Sequence, residues 1–373
     1  MNEKKLLEIY HQASDFFYNN SLNSNQKSKH WKRYNLKNFN LNNLINFRKE
    51  GNLSKGLDDQ DVVFSFKIYS DIVSKISESY ILKNLPNKNV GNSNLVIQYK
   101  ERFIDFNKLI HIYWFWLIEN KIFKNNKIEN ICEIGGGFGS FSELFIKNYN
   151  SKILLIDLPE ANLMSAYYLR EHFPQKKFFL FDEYKKTNFL SYLDFKNNDV
   201  IILPPNCNID KEIKINFFIN TRSMMEMNHE VIKAYFNFIQ KHLIDGGYFL
   251  NVNRYEKTSV GYPVRISEYP YDNYWKVIVS EPSYKQDWIH FLLCQRSFED
   301  NKPSIIEELN NIKKIGKKFY GMYSEDNYDP GVKKYVFIKN TLTLFMKIIP
   351  SSRKFFNYVG EFLLKLGKKL KNL

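Results

Sequence analysis

Four glycines in five positions, Gly135-Gly136-Gly137-Phe138-Gly139, follow a short apolar run and precede Ser140-Phe141-Ser142-Glu143. Glycine tolerates positive φ and lets a ligand lie against bare backbone. A side chain at Gly135 or Gly137 would collide with a cofactor lying across the end of a strand. Ser140-x-x-Glu143 fits a capping box that opens a helix, and the helix N-terminus then offers the cofactor partial positive charge. Past that helix a second apolar run, residues 153–156, ends in Asp157. An acid there can accept hydrogen bonds from both hydroxyls of a ribose. Strand, glycine turn, helix, strand, acid is the layout of a nucleotide-type cofactor site on an open α/β sheet.

The rest of the chain must position that site. From residue 131 to about 296 apolar runs alternate with helical patterns. Strands are expected at 131–134, 152–156, 177–181, 200–203, 217–220, 248–252, 276–280 and 288–294. Helices are expected after Ser140 and over 159–172 and 230–243. This is the signature of a doubly wound α/β sheet. The last two strands are joined by residues 281–287, too few for a crossover helix, so they form an antiparallel hairpin at one edge. Residues 1–127 read as a mostly helical cap and substrate region. Leu6, Ile9, Tyr10, Ala13 and Phe17 recur at helical spacing, and 19–28 and 86–94 read as loops. A helix over 106–123 is apolar nearly all round and is expected to be buried against the sheet. The sheet domain is expected over 128–300. A helical extension, 301–373, carries a stripe of Ile305, Leu309, Ile312 and Ile315.

Composition narrows the function classes. The chain has 373 residues, 44% hydrophobic and 17% aromatic, enough to bury a sizeable core, which excludes disorder throughout. A net charge of +14 favours anionic partners such as nucleic acid, a membrane surface or acidic substrates, although scattered lysine reads equally as solvated surface. The three cysteines, Cys132, Cys207 and Cys294, have no metal-ligand spacing. Cys132 and Cys294 lie in apolar runs and read as core residues, consistent with a cytoplasmic location. The start lacks a signal peptide's apolar core, and no run reaches the ~18 apolar residues of a membrane span. Beyond Pro350, Phe355, Val359, Phe362, Leu363, Leu366 and Leu370 share a face, with Lys354, Lys365, Lys368 and Lys371 off it. Such a tail docks on an anionic membrane surface, the inner face of the cell membrane, or packs on its own domain or on a second subunit of a homo-oligomer.

The dinucleotide fingerprint requires a third glycine where this chain has Ser140. Glu133-x-Gly135-x-Gly137-x-Gly139, with Asp157 and the edge hairpin, instead resembles class I S-adenosylmethionine-dependent methyltransferases. That resemblance implies a Rossmann-like sheet and S-adenosylmethionine as cofactor, with Glu133 near its methionine amino group. Gly135, Gly136, Gly137, Asp157, Leu158, Pro204 and Asn220 are then the expected cofactor residues. Adenine faces Asp182 if 177–181 is the third strand of the fold, or Pro204-Pro205 if 200–203 is. The second is favoured, with 177–181 an added strand.

More particular runs point further. Ile156-Asp157-Leu158-Pro159-Glu160, Ser165-Ala166-Tyr167-Tyr168-Leu169, Ile202-Leu203-Pro204-Pro205, Ile219-Asn220-Thr221-Arg222-Ser223-Met224-Met225-Glu226-Met227 and Ile266-Ser267-Glu268-Tyr269-Pro270-Tyr271-Asp272 with Trp275 resemble a bacterial family of sugar O-methyltransferases. The resemblance extends roughly from Trp31 to Arg296 and implies methyl transfer to a sugar hydroxyl in synthesis of polysaccharide or another glycoconjugate. The acceptor is then a sugar, a nucleotide sugar or a glycan, and no nucleic acid is expected.

Ligands of open α/β sheets bind at the carboxyl ends of the strands. Residues 220–229, 251–255 and 268–272 are expected there, supplying Asn, Arg, Tyr and carboxylates among aromatics. Arg222 and Arg254 suit a phosphate or carboxylate on the acceptor. Transfer from a sulfonium is an in-line displacement helped by positioning and by a base. Glu226, His229, His290 and Asp272 are the candidate bases. Glu226 is alternatively a structural partner of Arg222, His229 a surface residue, and His290 a satisfied core histidine. Asp272 is alternatively a ligand of a divalent metal, for which no ligand cluster is seen. Two other classes compete: a methyltransferase acting on RNA or another small molecule, and a membrane-associated interaction protein with a degenerate cofactor site. Intact Glu133, Gly135, Gly137 and Asp157 argue against degeneracy.

Overall fold

The computed structural model describes residues 2–19, 39–49, 59–125, 128–297 and 304–321. The tail beyond Pro350, Trp31 and most of the 19–28 loop lie outside the described residues. The chain forms two compact units, whose described parts are 2–41 with 125–321, and 42–124.

Helix α1 (Glu3–Tyr18) opens the first unit. Asn2 caps it by accepting from Lys5 N, and the expected stripe, Leu6, Ile9, Tyr10, Ala13 and Phe17, is buried. The second unit starts within α2 (Leu41–Ile45) and continues through α3 (Asp59–Val73), α4 (Glu78–Asn84), a hairpin of β1 (Ile97–Tyr99) and β2 (Arg102–Ile104), and α5 (Phe106–Lys121). Helix α5 is capped by Asp105, whose carboxylate also pairs with the buried Arg48 at 2.9 Å. It packs on α3 and α4. The hairpin was not expected because its turn, Lys100-Glu101, takes positive φ at both positions without the Asn or Gly that signals such a turn.

The first unit then builds its sheet: β3 (Asn130–Ile134), α6 (Ser142–Tyr149), β4 (Lys152–Ile156), α7 (Pro159–His172), β5 (Phe178–Phe179), α8 (Phe181–Thr187), α9 (Tyr192–Asn197), β6 (Val200–Leu203), β7 (Ile215–Thr221), α10 (His229–His242), β8 (Leu243–Arg254), β9 (Trp275–Ser283), β10 (Gln286–Arg296) and α11 (Ile305–Gly316). The strand order is β5-β6-β4-β3-β7-β8-β10-β9. Strands β5 to β8 pair in parallel with β3 at the centre, and β10 runs antiparallel to both neighbours. Central strands β3, β4 and β6 are apolar on both faces and almost wholly buried, as a covered parallel sheet requires. The sheet is Rossmann-like and ends in the expected antiparallel hairpin.

The run at 200–203 is the third strand, directly beside β4, as expected. The run at 177–181 shrinks to a two-residue edge strand, because Phe181 and Tyr184 are spent on the buried face of α8. On α11, Ile305, Leu309 and Ile312 are buried, whereas Ile315 is exposed. Among the described residues no helix is long and apolar enough to cross a membrane.

Candidate functional site

The chain winds from β3 outward through β4 and β6, then returns to place β7 on the other side of β3. Between β3 and β7 the winding reverses, and ligands of such sheets bind in the crevice this opens at the carboxyl ends. Gly135 leaves β3 with φ +72°, and a β-carbon there would fall 1.8 Å from Ser223 Oγ, just past β7. Gly137, at φ +59°, has no such neighbour. Gly135→Ala is therefore expected to cost about 3 kcal/mol or more from strain and overlap combined, and Gly137→Ala only about 1–2 kcal/mol from strain. Denaturant titration of both variants measures the difference.

A cleft lies at this crevice. Its empty space, counted to the solvent at its mouth, is about 490 Å³. Gly135, Ile156, Asp157 and Leu158 form its floor, and Pro205 follows from β6. Ser223, Glu226 and Met227 come from the loop after β7, Val231 and Tyr235 from α10, and Phe17 from α1.

Asp157 is 9% exposed and accepts from Gly137 N at 2.8 Å and Leu158 N at 2.7 Å. Its backbone carbonyl accepts from Asn162 Nδ2, which fixes the strand end to α7. Burial pushes its carboxyl up to about 7, against the pull of the two N–H donors; Glu160 and Glu226 add smaller repulsions. Two more amides of the turn are engaged. Gly135 N donates to Ile156 O at 2.8 Å and Gly139 N to Gly136 O at 2.9 Å.

The expected capping box does not form. Helix α6 starts at Phe141 without a side-chain cap. Ser142 Oγ donates to Glu133, and Glu143 accepts from Tyr168 at 2.6 Å. Glu133 is thus buried against the start of α6 and does not line the cleft. Gly136 backs onto Leu155 and Glu133, also away from it. Pro204 is buried; its neighbour Pro205 is the one in the cleft wall.

Asn220, expected at the cofactor, is fully buried. Its Nδ2 donates to Ile134 O, and its Oδ1 accepts from Met224 N and Asn253 Nδ2. Asn253 also donates to Asn251 Oδ1 and accepts from Met225 N. Asn251 Nδ2 reaches Tyr271 Oη at 3.1 Å. These three asparagines, expected to meet an acceptor or cofactor, instead clamp the loop at 222–227 to the ends of β3, β7 and β8. Arg222 turns that loop at φ +58°, a conformation unfavourable to a side-chain-bearing residue, with its N–H on Val252 O at 2.7 Å.

Held this way, Glu226 faces the cleft from a 3₁₀ turn, Met224–Glu226. The alternative in which it pairs with Arg222 is replaced by an ion pair with Lys257, both side chains being largely buried. His229 is an exposed residue stacked on Tyr262 at the start of α10, the surface reading of it.

Two candidates fail on position. His290 lies inside the hairpin, fully buried, with Tyr255 Oη 2.9 Å from Nδ1 and Ser280 Oγ 2.8 Å from Nε2. Ser280 gives its own hydrogen to Glu308. Nε2 must therefore donate and Nδ1 accept, so neither nitrogen is left for a substrate. Burial pushes its pKa down to about 3. Asp272 is carried to the opposite end of the sheet. Strand β9 runs in the same sense as β8 and pairs Trp275 with Arg296, whereas β8 pairs its carboxyl end, Arg254, with Ile289. Seven residues of β10 separate the two ends, about 20 Å of strand. Asp272 spends its carboxylate on Arg296, at 3.0 and 2.9 Å, and on Gln240. Glu268 is spent on Arg265, which also pairs with Glu256 just past the carboxyl end of β8. Among the described residues no cluster of His, Cys, Asp or Glu is placed to hold a metal ion.

Sequence reasoning missed Phe17, Val231 and Tyr235, whereas Ser223 and Met227 lie in the 220–229 stretch expected at the site. Phe17 carried only a core-stripe signal, and Val231 and Tyr235, four apart, lie on the turn of α10 facing the glycine loop.

No family model matches the chain, and no curated protein matches it. Solved structures do. A methyltransferase from Pyrococcus furiosus is 15% identical, covers 50% of this chain and 83% of its own, with a TM-score of 0.33. Magnesium protoporphyrin IX methyltransferase from Synechocystis, with S-adenosylmethionine bound, is 13% identical over 65% of this chain and 99% of its own, TM-score 0.36. An N-methyltransferase from Bradyrhizobium japonicum, in complex with S-adenosyl-L-homocysteine, is 12% identical over 50% and 85%, TM-score 0.32. These are remote likenesses; the fold of this chain is read from its own strand order.

Proposed function

We propose that the chain is an S-adenosylmethionine-dependent O-methyltransferase acting on a sugar hydroxyl. The observation that carries the cofactor is a glycine turn whose Gly135, Gly137 and Gly139 amides are engaged beside a buried carboxylate. Pyrophosphate needs free N–H groups at such a turn, and here Gly135, Gly137 and Gly139 have spent theirs. The cleft instead carries Asp157 and Glu226. Carboxylates suit a ligand with ribose hydroxyls and a cationic centre, and oppose a diphosphate.

In this reading Asp157 accepts from the ribose, and Leu158 and Pro205 meet the purine. The cofactor, when bound, supplies an electrophilic methyl group. Glu226 takes the proton of the acceptor hydroxyl as it attacks, and its ion pair with Lys257 holds that carboxylate in place. Met227 and Tyr235 add apolar wall against which a sugar ring can lie. The sugar is supported by the resemblance of the run at 219–227, which holds Glu226 at the cleft. A cytoplasmic enzyme of polysaccharide or glycoconjugate synthesis fits this chemistry. The acceptor is tested by incubating the protein with methyl-labelled S-adenosylmethionine and a panel of nucleotide sugars, oligosaccharides and RNA. Label is expected in a sugar; label in RNA alone would remove the sugar from the account.

A further inference from the structure

The cleft has a wall that no glycine motif announces. Phe17 is fully buried at its edge, yet it comes from α1, more than a hundred residues before the glycine turn. Three contacts decide which side of the cleft α1 covers. Tyr10 Oη reaches Ile202 O of β6 within 3.5 Å. Tyr18 Oη meets both carboxylate oxygens of Glu160, in the first turn of α7, at 3.1 Å. Phe16 packs on Phe181 and Tyr184 of α8 at 5.3 and 6.1 Å between ring centroids. All three anchors lie on the β4–β6 side of Asp157, away from Ser223 and Glu226. That side holds Leu158 and Pro205, both apolar. A nucleoside whose ribose sits on Asp157 must direct its base either there or toward the carboxylate of Glu226. The apolar pair and the aromatic ring favour the first.

We infer that Phe17 contacts the base of the bound nucleoside, so that α1 is part of the ligand site and closes its purine side. This rests on the cofactor reading above. An aromatic ring against a purine adds affinity through stacking, which alanine removes at about 5- to 100-fold in affinity. Tyr18 and Glu160 then act as the latch that seats the ring.

The probe is S-adenosyl-L-homocysteine. By calorimetry Phe17→Ala is expected to weaken its binding by about 5- to 100-fold, while Phe17→Tyr stays within a few-fold of the wild type. Equal affinity of the wild type and Phe17→Ala overturns the inference. Since Phe17 is also a core residue of α1, hydrogen exchange on the unmutated protein gives an independent reading. Amides of residues 11–18 are expected to exchange more slowly when the probe is bound. Unchanged exchange there, with the probe bound, overturns the inference and leaves the cofactor reading intact. No binding of the probe to the wild type sinks the cofactor reading and the inference with it.

Discussion

Asp157→Ala is expected to abolish binding of S-adenosylmethionine while leaving the free protein close to wild-type stability at pH 8. The carboxylate lines the cleft beside Gly135 and Leu158 and accepts from Gly137 N and Leu158 N. Each hydrogen bond from a ribose hydroxyl to a charged acceptor is worth about 1.5–3 kcal/mol, so losing two costs on the order of 10²-fold or more in affinity. Stability changes less, because two terms oppose. Alanine strands two backbone N–H groups, at about 1–3 kcal/mol each. It also removes a buried charge. The carboxyl rises from its ordinary 3.8 to about 7 on folding, a penalty on the order of 4 kcal/mol once ionised. The sign follows from proton counts. Between those values the folded state holds its proton more tightly, so this group's contribution falls as pH rises from about 4 to 7 and is flat above. Binding has the opposite dependence. A ligand that donates hydroxyl hydrogens and carries positive charge prefers the ionised acid, so affinity is expected to rise as pH passes through about 7. Calorimetry from pH 6 to 8 checks this, and pH-independent affinity would dissociate Asp157 from the ligand.

Glu226→Gln is expected to lower turnover about 10²- to 10⁴-fold, the usual contribution of a general base, with cofactor affinity nearly unchanged. The amide keeps the side chain's shape but cannot take the acceptor's proton, and it leaves Lys257 without its counter-charge. The substitution also removes the weakest of the repulsions that raise Asp157, for which burial is the main cause. The pH midpoint for cofactor binding is therefore expected to move slightly down. A lost turnover with an unmoved midpoint would place Glu226 farther from Asp157 electrostatically than the cleft suggests. Unchanged turnover on the sugar acceptor would remove Glu226 as the base.

Much of the sheet was legible because its central strands are fully buried, and full burial writes a continuous apolar run. Val200–Leu203 and Lys152–Ile156 match their expected limits for that reason. The site was less legible because side chains choose partners across long separations. Ser140-x-x-Glu143 has the local form of a capping box, but Tyr168 claims Glu143 from 25 residues away. Asn220, Asn251 and Asn253 have the composition of a sugar site, yet meet one another because β7 and β8 are adjacent. Their alternation, Asn251 and Asn253 two apart on β8, was the signal that they share a face. Asp272 was a failure of topology: a strand that forms the outer arm of an antiparallel pair beside β8 must begin where β8 begins, at the end remote from the cleft. His290 shows why residue type alone is weak, since a buried imidazole with two partners is structural whatever its neighbours. Phe17 could not be told from core, because it is core as well as wall.

The most direct measurement is a pair of thermal melts, one with S-adenosylmethionine and one with NAD. A ligand at a hundred times its Kd adds about 2.7 kcal/mol to folding, which raises Tm by several degrees in a chain of this size. S-adenosylmethionine is expected to give that rise and NAD none. A rise with NAD and none with S-adenosylmethionine would contradict the account.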